Sequence, residues 1–235
     1  MTLKFLPPFG AIIFDLDGLA IDSETTYREA WKAAGKALGY PLNDALVRRF
    51  TGKPYDLIEK ILRSRFGAQF PTTDFRQESA RFWHEKVEQS GIPRKPGLDE
   101  LLEILKIRSI PYALATNSQA VYADKCLKYA GLSEEFPIRI TRDQAITPKP
   151  APDLFLIAAG KLAVPPKQCI VLEDSETGAQ AGLNAGMPVI LVPEAGEFPN
   201  PIHENMLAVL DSLNQVRTLI ENTFANCRAG SAESG

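Results

Sequence analysis

The sequence has few of the residues that mark a secreted or membrane protein. It holds 3 cysteines in 235 residues, and Cys126, Cys169 and Cys227 lie far apart. Their odd number and wide spacing favour neither a disulfide framework nor a metal site, so we expect a reducing, cytoplasmic environment. No apolar run approaches the roughly 18 residues that a membrane-spanning helix needs. The first residues also lack the pattern of a secretory signal, so we expect no membrane partner.

The chain also lacks a strong charge of either sign. Lys plus Arg number 26 and Asp plus Glu number 29, which gives a formal net charge of −3. Binding to a nucleic-acid polymer requires a basic surface, so we expect no such partner. The apolar fraction of 45% in a chain of this length is enough to form a sizeable core. We therefore expect a globular protein that is a monomer or a weak homodimer.

Short apolar runs alternate with helical patterns along most of the chain. Residues 11–14, 112–115, 170–172 and 189–192 are apolar runs typical of strands that are covered on both faces, and 138–141 is a weaker candidate. Strands that alternate with helices form right-handed crossovers and a parallel sheet. The alternation therefore predicts an α/β fold with a doubly wound, Rossmann-like parallel sheet.

One long segment departs from this alternation, because it contains no strand-like run. Its apolar residues recur at helical spacing in three stripes, which include Tyr27, Trp31, Ile58, Leu62, Phe75 and Val87. We predict an α/β core of residues 1–18 and 93–235 with an inserted all-α cap of residues 19–92. The small and polar residues 229–235 predict a tail outside the fold.

Polar residues follow the apolar runs at the places where function gathers in open α/β sheets. They are Asp15, Asp17, Thr116, Asn117, Glu173 and Asp174, and a loop adds Lys149. Two carboxylates that are two residues apart in extended backbone point the same way and repel, which favours a bound cation or a retained proton. Taken singly, each of these residues is also typical of a helix cap or of a solvated loop. Their combination points to a shared site.

Four motifs in this order resemble those of the haloacid dehalogenase superfamily. They are Asp-x-Asp-Gly at 15–18, Thr-Asn-Ser at 116–118, Lys-Pro-x-Pro-Asp at 149–153 and Glu-Asp-Ser-x-x-Gly at 173–178. Segment 14–24 resembles the first motif of the β-phosphoglucomutase and small-phosphatase branch, whose mobile cap the helical insertion resembles. Segments 111–116 and 185–193 are similar to nucleotide and sugar-phosphate phosphatases of this branch, pseudouridine-5'-phosphatases among them. The resemblance covers about residues 10–213.

The resemblance implies a role for each matching residue. Asp15 would be the nucleophile that forms an aspartyl-phosphate, and Asp17 would be the general acid and base. Thr116 and the backbone of Asn117 would bind the phosphoryl oxygens, while Lys149 would neutralise phosphate charge.

The resemblance also implies Mg²⁺ as a cofactor, a hard cation that prefers oxygen ligands. The implied ligands are Asp15, the backbone carbonyl of Asp17, Asp174 and Glu173. The expected function is Mg²⁺-dependent hydrolysis of a small phosphomonoester, either a sugar phosphate or a nucleotide.

Two alternatives remain open, a β-phosphoglucomutase-type mutase and a phosphate-binding regulator without catalysis. The mutases carry a His in the first cap helix and an Arg in a cap loop, where this chain has Tyr27 and Tyr55. These departures favour hydrolysis, and the complete set of motif residues argues against a regulator. Lys53, in a turn of the predicted cap, is either a contact for a second polar group of the substrate or an ordinary exposed lysine.

Overall fold

The computed structural model describes residues 5–50, 53–194 and 206–232. In chain order the elements are β1 (Ala11–Phe14), α1 (Ser23–Ala37), α2 (Asp44–Arg48), α3 (Tyr55–Phe66), α4 (Thr72–Ser90), α5 (Leu98–Ile107), β2 (Tyr112–Ala115), α6 (Ala120–Tyr129), β3 (Arg139–Ile140), α7 (Asp153–Leu162), β4 (Cys169–Glu173), α8 (Glu176–Asn184), β5 (Val189–Leu191), β6 (Ala208–Val209) and α9 (Leu213–Ala232). The chain divides into an α/β unit, which runs up to Ile21 and resumes at Arg94, and a helical unit, Asp22–Pro93. These junctions lie close to the predicted ones at 18/19 and 92/93.

The α/β unit is built on one parallel sheet with the strand order β3-β2-β1-β4-β5-β6. Every residue of β1 is apolar and buried, as a central strand covered on both faces requires. In the register, Ile13 lies beside Ala113 of β2 and Val171 of β4. The carboxyl ends of β2, β1 and β4 therefore meet at one edge of the sheet, where the predicted site residues follow them.

The two faces of the sheet have separate packing. Ala11 and Ile13 belong to a buried cluster with Leu154 of α7 and Ala179 of α8. Side chains alternate along a strand, so Phe14 points to the opposite face. There its ring packs edge-on against Phe136, with 5.6 Å between the ring centroids. Elsewhere in this unit α5 packs on α9.

The helical unit contains α1 to α4, and its described residues form no strand. The side chain of Asp22 begins α1, because its Oδ1 accepts the backbone N–H of Thr25 at 3.1 Å. α1 packs along α4. Between them the Trp83 Nε1–H donates to Thr26 Oγ1 at 3.0 Å, and the Tyr27 ring stacks on Trp83 at 5.2 Å between centroids. A second cluster, centred on Phe50, Leu62, Phe70 and Phe75, fills the interior beside α3.

The structure confirms the predicted α/β class with a parallel sheet, and it adds two elements at the C-terminal end. β6 and α9 had no counterpart among the predicted elements. The predicted tail is wrong for residues 229–232, which continue α9, while residues 233–235 lie outside the described part of the chain. Across the described ranges, every helix is too short or too polar to cross a membrane.

Leu62→Ala tests the packing of the helical unit. The Leu62 side chain is fully buried, so its truncation leaves a cavity and should lower the free energy of unfolding by about 2–5 kcal/mol. Leu57→Ala on the same helix is the matched control, because Leu57 is 42% exposed and should cost less than about 1 kcal/mol. Both tryptophans of the chain, Trp31 and Trp83, lie in this unit, so urea unfolding followed by tryptophan fluorescence measures it. Equal losses in the two variants would contradict this core.

Candidate active site

The structure brings the motif residues of the α/β unit together at the carboxyl edge of its sheet. Asp15 follows β1, Thr116 follows β2, and Asp174 follows β4, which are neighbouring strands. A loop before α7 adds Lys149, whose side chain reaches back to the strand ends. Residues from four separate parts of the chain thereby form one candidate site.

Lys149 is the centre of this site. Its ammonium nitrogen donates to Asp15 Oδ1 at 2.5 Å, to Glu173 Oε1 at 2.6 Å and to the Ala115 carbonyl at 2.8 Å. The ring of Phe155 lies 4.6 Å from this nitrogen, measured to its centroid. Burial alone would lower the pKa of Lys149, but the charges of Asp15 and Glu173 outweigh burial and raise it. Lys149 is therefore a permanent cation that holds one oxygen of the predicted nucleophile.

The side chain of Asn117 fixes the loop that carries Lys149. Its Oδ1 accepts the backbone N–H of Lys149 at 2.9 Å, and its Nδ2–H donates to the Lys149 carbonyl at 3.4 Å. These bonds tie the end of β2 to the loop before α7. The side chain of Asn117 therefore positions Lys149, and the predicted contact of its backbone with phosphate stays a prediction.

Glu173 uses both of its carboxylate oxygens within the protein. While Oε1 accepts from Lys149, Oε2 accepts from Ser175 Oγ at 3.0 Å and from the backbone N–H groups of Asp174 and Ser175 at 3.2 and 3.3 Å. The residue is almost completely buried. Glu173 is therefore a counter-charge for Lys149 and an anchor for the loop that presents Asp174.

Two glycines allow the acidic side chains to pack this closely. Gly18 has a φ of +89°, and a Cβ there would lie 1.9 Å from Asp174 Oδ2. In α8, a Cβ on Gly178 would lie 1.8 Å from Glu173 Oε1. Both distances are far below van der Waals contact. Side chains at these two positions would displace the carboxylates.

Asp15, Glu173 and Asp174 form a cluster of three carboxylates, with one oxygen of each within 4.8 Å of the others. Burial raises the pKa of Asp15 to about 8, and the charge of Glu173 adds to this increase while Lys149 opposes it. The single charge of Lys149 does not balance three carboxylates. A divalent cation would favour the ionised form of Asp15, and the all-oxygen donor set suits Mg²⁺. The residues present therefore fit the predicted metal.

The carboxylate of Asp17 contacts the opposite side of the site, toward β2 and α6. Ser118 Oγ donates to its Oδ2 at 2.8 Å, and the Tyr122 phenol donates to its Oδ1 at 3.2 Å. Asp15 and Asp17 thus have separate hydrogen-bond donors, an ammonium for one and two hydroxyls for the other. This arrangement reduces the repulsion expected from their spacing in the sequence.

Lys53 belongs to the helical unit, where its side chain is exposed and its backbone N–H donates to the Phe50 carbonyl at 3.0 Å. Its contact with a substrate stays a prediction. Sequence reasoning missed the roles of Ser118, Tyr122 and Gly178. Ser118 lies two residues before α6 and Tyr122 lies in its first turn, so the fold, and not a helical spacing, brings both hydroxyls to Asp17.

An open parallel sheet with a buried carboxylate and lysine at its carboxyl edge defines an α/β enzyme with a carboxylate-centred site. The profile of the haloacid dehalogenase-like hydrolase family matches residues 12–192, and this chain belongs to that family. The family predicted from the motifs is thereby confirmed.

Two relatives of this chain are named as phosphatases, and a solved structure has a similar fold. It is 29% identical over 215 residues to the phosphorylated carbohydrates phosphatase of Thermotoga maritima, with 90% of each chain covered. It is 31% identical over 205 residues to hexitol phosphatase A of Escherichia coli, with 87% of this chain and 91% of the relative covered. A candidate beta-phosphoglucomutase from Thermotoga maritima superposes with a TM-score of 0.77 at 27% identity, covering 89% of this chain and 96% of that one. The names of both relatives support the predicted enzyme class, a phosphoric monoester hydrolase.

Gly178→Ala tests the close packing behind Lys149. The new Cβ would displace the Glu173 carboxylate, so we expect a loss of activity of about tenfold or more and a stability loss of about 1–3 kcal/mol. Gly160→Ala is the matched control, since Gly160 is also helical and a Cβ there meets no atom within 4 Å. It should keep full activity and gain up to about 1 kcal/mol. Steady-state kinetics and thermal unfolding of both variants check this, and a fully active Gly178→Ala protein would contradict it.

Proposed function

We propose that this protein is a cytoplasmic, Mg²⁺-dependent phosphatase that hydrolyses a small phosphomonoester through an aspartyl-phosphate on Asp15. This proposal rests on the buried Lys149 ammonium. It donates a hydrogen bond of 2.5 Å to one Asp15 oxygen, within the cluster of carboxylates. This arrangement supplies a positioned nucleophile and a cation for phosphate charge. The names of the two relatives, which refer to phosphorylated carbohydrates and to hexitols, support a sugar phosphate more than a nucleotide.

In the first half-reaction, an oxygen of Asp15 attacks phosphorus, and the bond from phosphorus to the ester oxygen breaks. Asp17 donates a proton to that departing oxygen, so an alcohol leaves rather than an alkoxide. The Thr116 hydroxyl is oriented by the Ser118 N–H, which donates to Thr116 Oγ1 at 3.0 Å. Its own hydrogen is then directed to a phosphoryl oxygen, where charge accumulates.

In the second half-reaction, Asp17, now a carboxylate, takes a proton from a water molecule. That water attacks the phosphorus of the aspartyl-phosphate, which releases inorganic phosphate and restores the Asp15 carboxylate. Lys149 stays charged throughout, because it is paired with Glu173 as well as with Asp15. The permanent cation stabilises the phosphoryl oxygens in both halves of the reaction.

The Asp15 and Asp174 carboxylates and the Asp17 carbonyl would hold Mg²⁺, with Glu173 supplying further negative charge behind them. When bound, the metal supplies positive charge that keeps Asp15 ionised and neutralises the phosphate. The hydrogen bonds of both Glu173 oxygens favour this supporting role for Glu173.

Thermal unfolding tests the metal site without relying on turnover. Mg²⁺ that binds only the folded protein should stabilise it by about 3 kcal/mol at one hundred times the dissociation constant, and so raise the melting temperature by a few degrees. Asp174→Asn should remove most of this increase. Asp211→Asn, an exposed carboxylate of the same unit, should keep it. An equal increase in wild type and Asp174→Asn would contradict the site.

The mutase is a second candidate because a candidate beta-phosphoglucomutase is among the similar structures. The two tyrosines at the mutase-specific positions pack within the helical unit. The Tyr55 phenol donates to the Thr72 carbonyl at 2.6 Å, and its ring lies 4.9 Å from the Arg76 guanidinium. Tyr27 stacks on Trp83. These contacts support hydrolysis, because they use the two side chains for packing.

A product assay distinguishes phosphatase from mutase and from a regulator. Purified protein with Mg²⁺ should release inorganic phosphate from at least one sugar phosphate or nucleotide of a panel. Asp15→Asn gives the background, since an amide does not attack phosphorus, and we expect at least a thousandfold loss. With β-glucose 1-phosphate, formation of glucose 6-phosphate faster than phosphate would favour the mutase. Activity of the wild type no higher than that of Asp15→Asn would favour the regulator.

Lys53 is the proposed specificity residue of the helical unit. If its ammonium binds a distal hydroxyl or anionic group, Lys53→Ala should raise KM for the best sugar phosphate about threefold to tenfold. Turnover of p-nitrophenyl phosphate, which lacks such a group, should change little. The exposed Lys60 of α3 gives a control substitution that should affect neither substrate. Equal effects of Lys53→Ala on both substrates would show that Lys53 does not determine substrate specificity.

A further inference from the structure

We propose that Ser118 and Tyr122 are positioning residues that orient the Asp17 carboxylate for proton transfer to the leaving group. The proposal rests on the proposed function, in which Asp17 is the general acid. The motifs assigned no role to the side chain of Ser118 and none at all to Tyr122.

The first observation is that each Asp17 oxygen has its own donor. Ser118 Oγ lies 2.8 Å from Oδ2, and the Tyr122 phenol oxygen lies 3.2 Å from Oδ1. One hydrogen bond leaves a carboxylate able to rotate about its terminal torsion, which has a broad energy well. Two donors on different oxygens fix both the direction of the side chain and the plane of the carboxylate. Asp17 is thereby held in one orientation.

The second observation is that both donors are on rigid supports. Ser118 follows β2, and its backbone N–H donates to Thr116 Oγ1 at 3.0 Å, so it is tied to the predicted phosphate-binding residue. Tyr122 lies in the first turn of α6, one turn before the fully buried Cys126 of the same helix. The phenol is thus carried by a helix that is anchored in the core of the α/β unit.

The third observation is that Asp15 and Asp17 are held on different sides of the site. Lys149, which is paired with Glu173 at the end of β4, holds Asp15, whereas Ser118 and Tyr122 hold Asp17 on the side of β2 and α6. Ser118 and Tyr122 are neutral donors, so they orient Asp17 without competing with Lys149 for the phosphate. This is the arrangement that an acid and a nucleophile acting on opposite ends of the same P–O bond require.

The leaving group provides a readout that a purely structural role would not change. An alkoxide needs a proton as it departs, whereas p-nitrophenolate leaves readily without one. The ratio kcat/KM covers the steps up to formation of the phosphoenzyme, so it reports this proton transfer. Loss of orientation of Asp17 should therefore reduce kcat/KM more for alkyl phosphates than for p-nitrophenyl phosphate.

The experiment measures kcat/KM for p-nitrophenyl phosphate, phenyl phosphate and the best alkyl or sugar phosphate, in wild type and in Tyr122→Phe. We expect a loss of about tenfold for the alkyl ester and less than about twofold for p-nitrophenyl phosphate, so the dependence on leaving-group pKa becomes steeper. Tyr112→Phe is the matched control. Tyr112 lies on β2 in the same unit, where its ring packs on Phe14 and Phe136, and its substitution should leave the dependence unchanged.

Two substitutions of Ser118 provide a second, independent test. Ser118→Ala should show the same selective loss, and Ser118→Thr, which keeps the hydroxyl, should restore most of the activity toward the alkyl ester. Thermal unfolding shows whether each variant is folded. If Tyr122→Phe does not fold, the Ser118 pair decides the question.

The outcomes separate this proposal from the proposed function. Wild-type activity that survives Asp17→Asn would overturn the general-acid role of Asp17, and this proposal with it. Activity that is lost in Asp17→Asn, but falls equally for all esters or not at all in Tyr122→Phe and Ser118→Ala, would overturn only the positioning role. A steeper dependence in both variants, with a normal Tyr112→Phe, supports it.

Discussion

The site depends on one buried ammonium between two buried carboxylates. Removing Lys149, Asp15 and Glu173 from water costs several kcal/mol for each charge, and only close pairing repays that cost. Lys149 meets both carboxylates within 2.6 Å and a main-chain carbonyl at 2.8 Å, so little freedom is left to any of them. The ends of β1, β2 and β4 must stay in register for these contacts to form. The same contacts therefore stabilise the edge of the sheet and position Asp15, the predicted nucleophile.

This constraint also explains the different surroundings of the two aspartates of the first motif. Lys149 neutralises Asp15, which leaves Asp17 to be held by neutral hydroxyls of Ser118 and Tyr122. Two neighbouring carboxylates with one shared ammonium would compete for it. With separate donors, Asp15 is held by an ammonium and Asp17 by two hydroxyls. The different roles proposed for Asp15 and Asp17 agree with this difference in their hydrogen-bond donors.

The sequence predicted the family and the enzyme class, but not the contacts within the site. The motifs led to Asp15, Lys149 and Asp174 because each lies in a short local pattern, after a strand for the two aspartates and in a loop for Lys149. The apolar runs likewise predicted five of the six strands. The pairing of Lys149 with Glu173 joins residues 24 positions apart and follows only from the strand order. Neither α9 nor β6 was predicted, and β6, with two residues, is too short to show a periodicity.

Two glycines of the motifs, Gly178 and Gly18, are needed for close contacts within the site. Glu173 ends β4, and the first turn of α8 returns the backbone at Gly178 to a position beside its carboxylate. A Cβ at this position would overlap with the carboxylate. The glycine of the Glu-Asp-Ser-x-x-Gly motif therefore meets a steric requirement. Gly18 records the same requirement for Asp174, combined with a φ of +89° that only glycine adopts easily. The contact of Gly178 with Glu173 is therefore local in the sequence, whereas that of Gly18 with Asp174 joins distant parts of the chain and follows only from the fold.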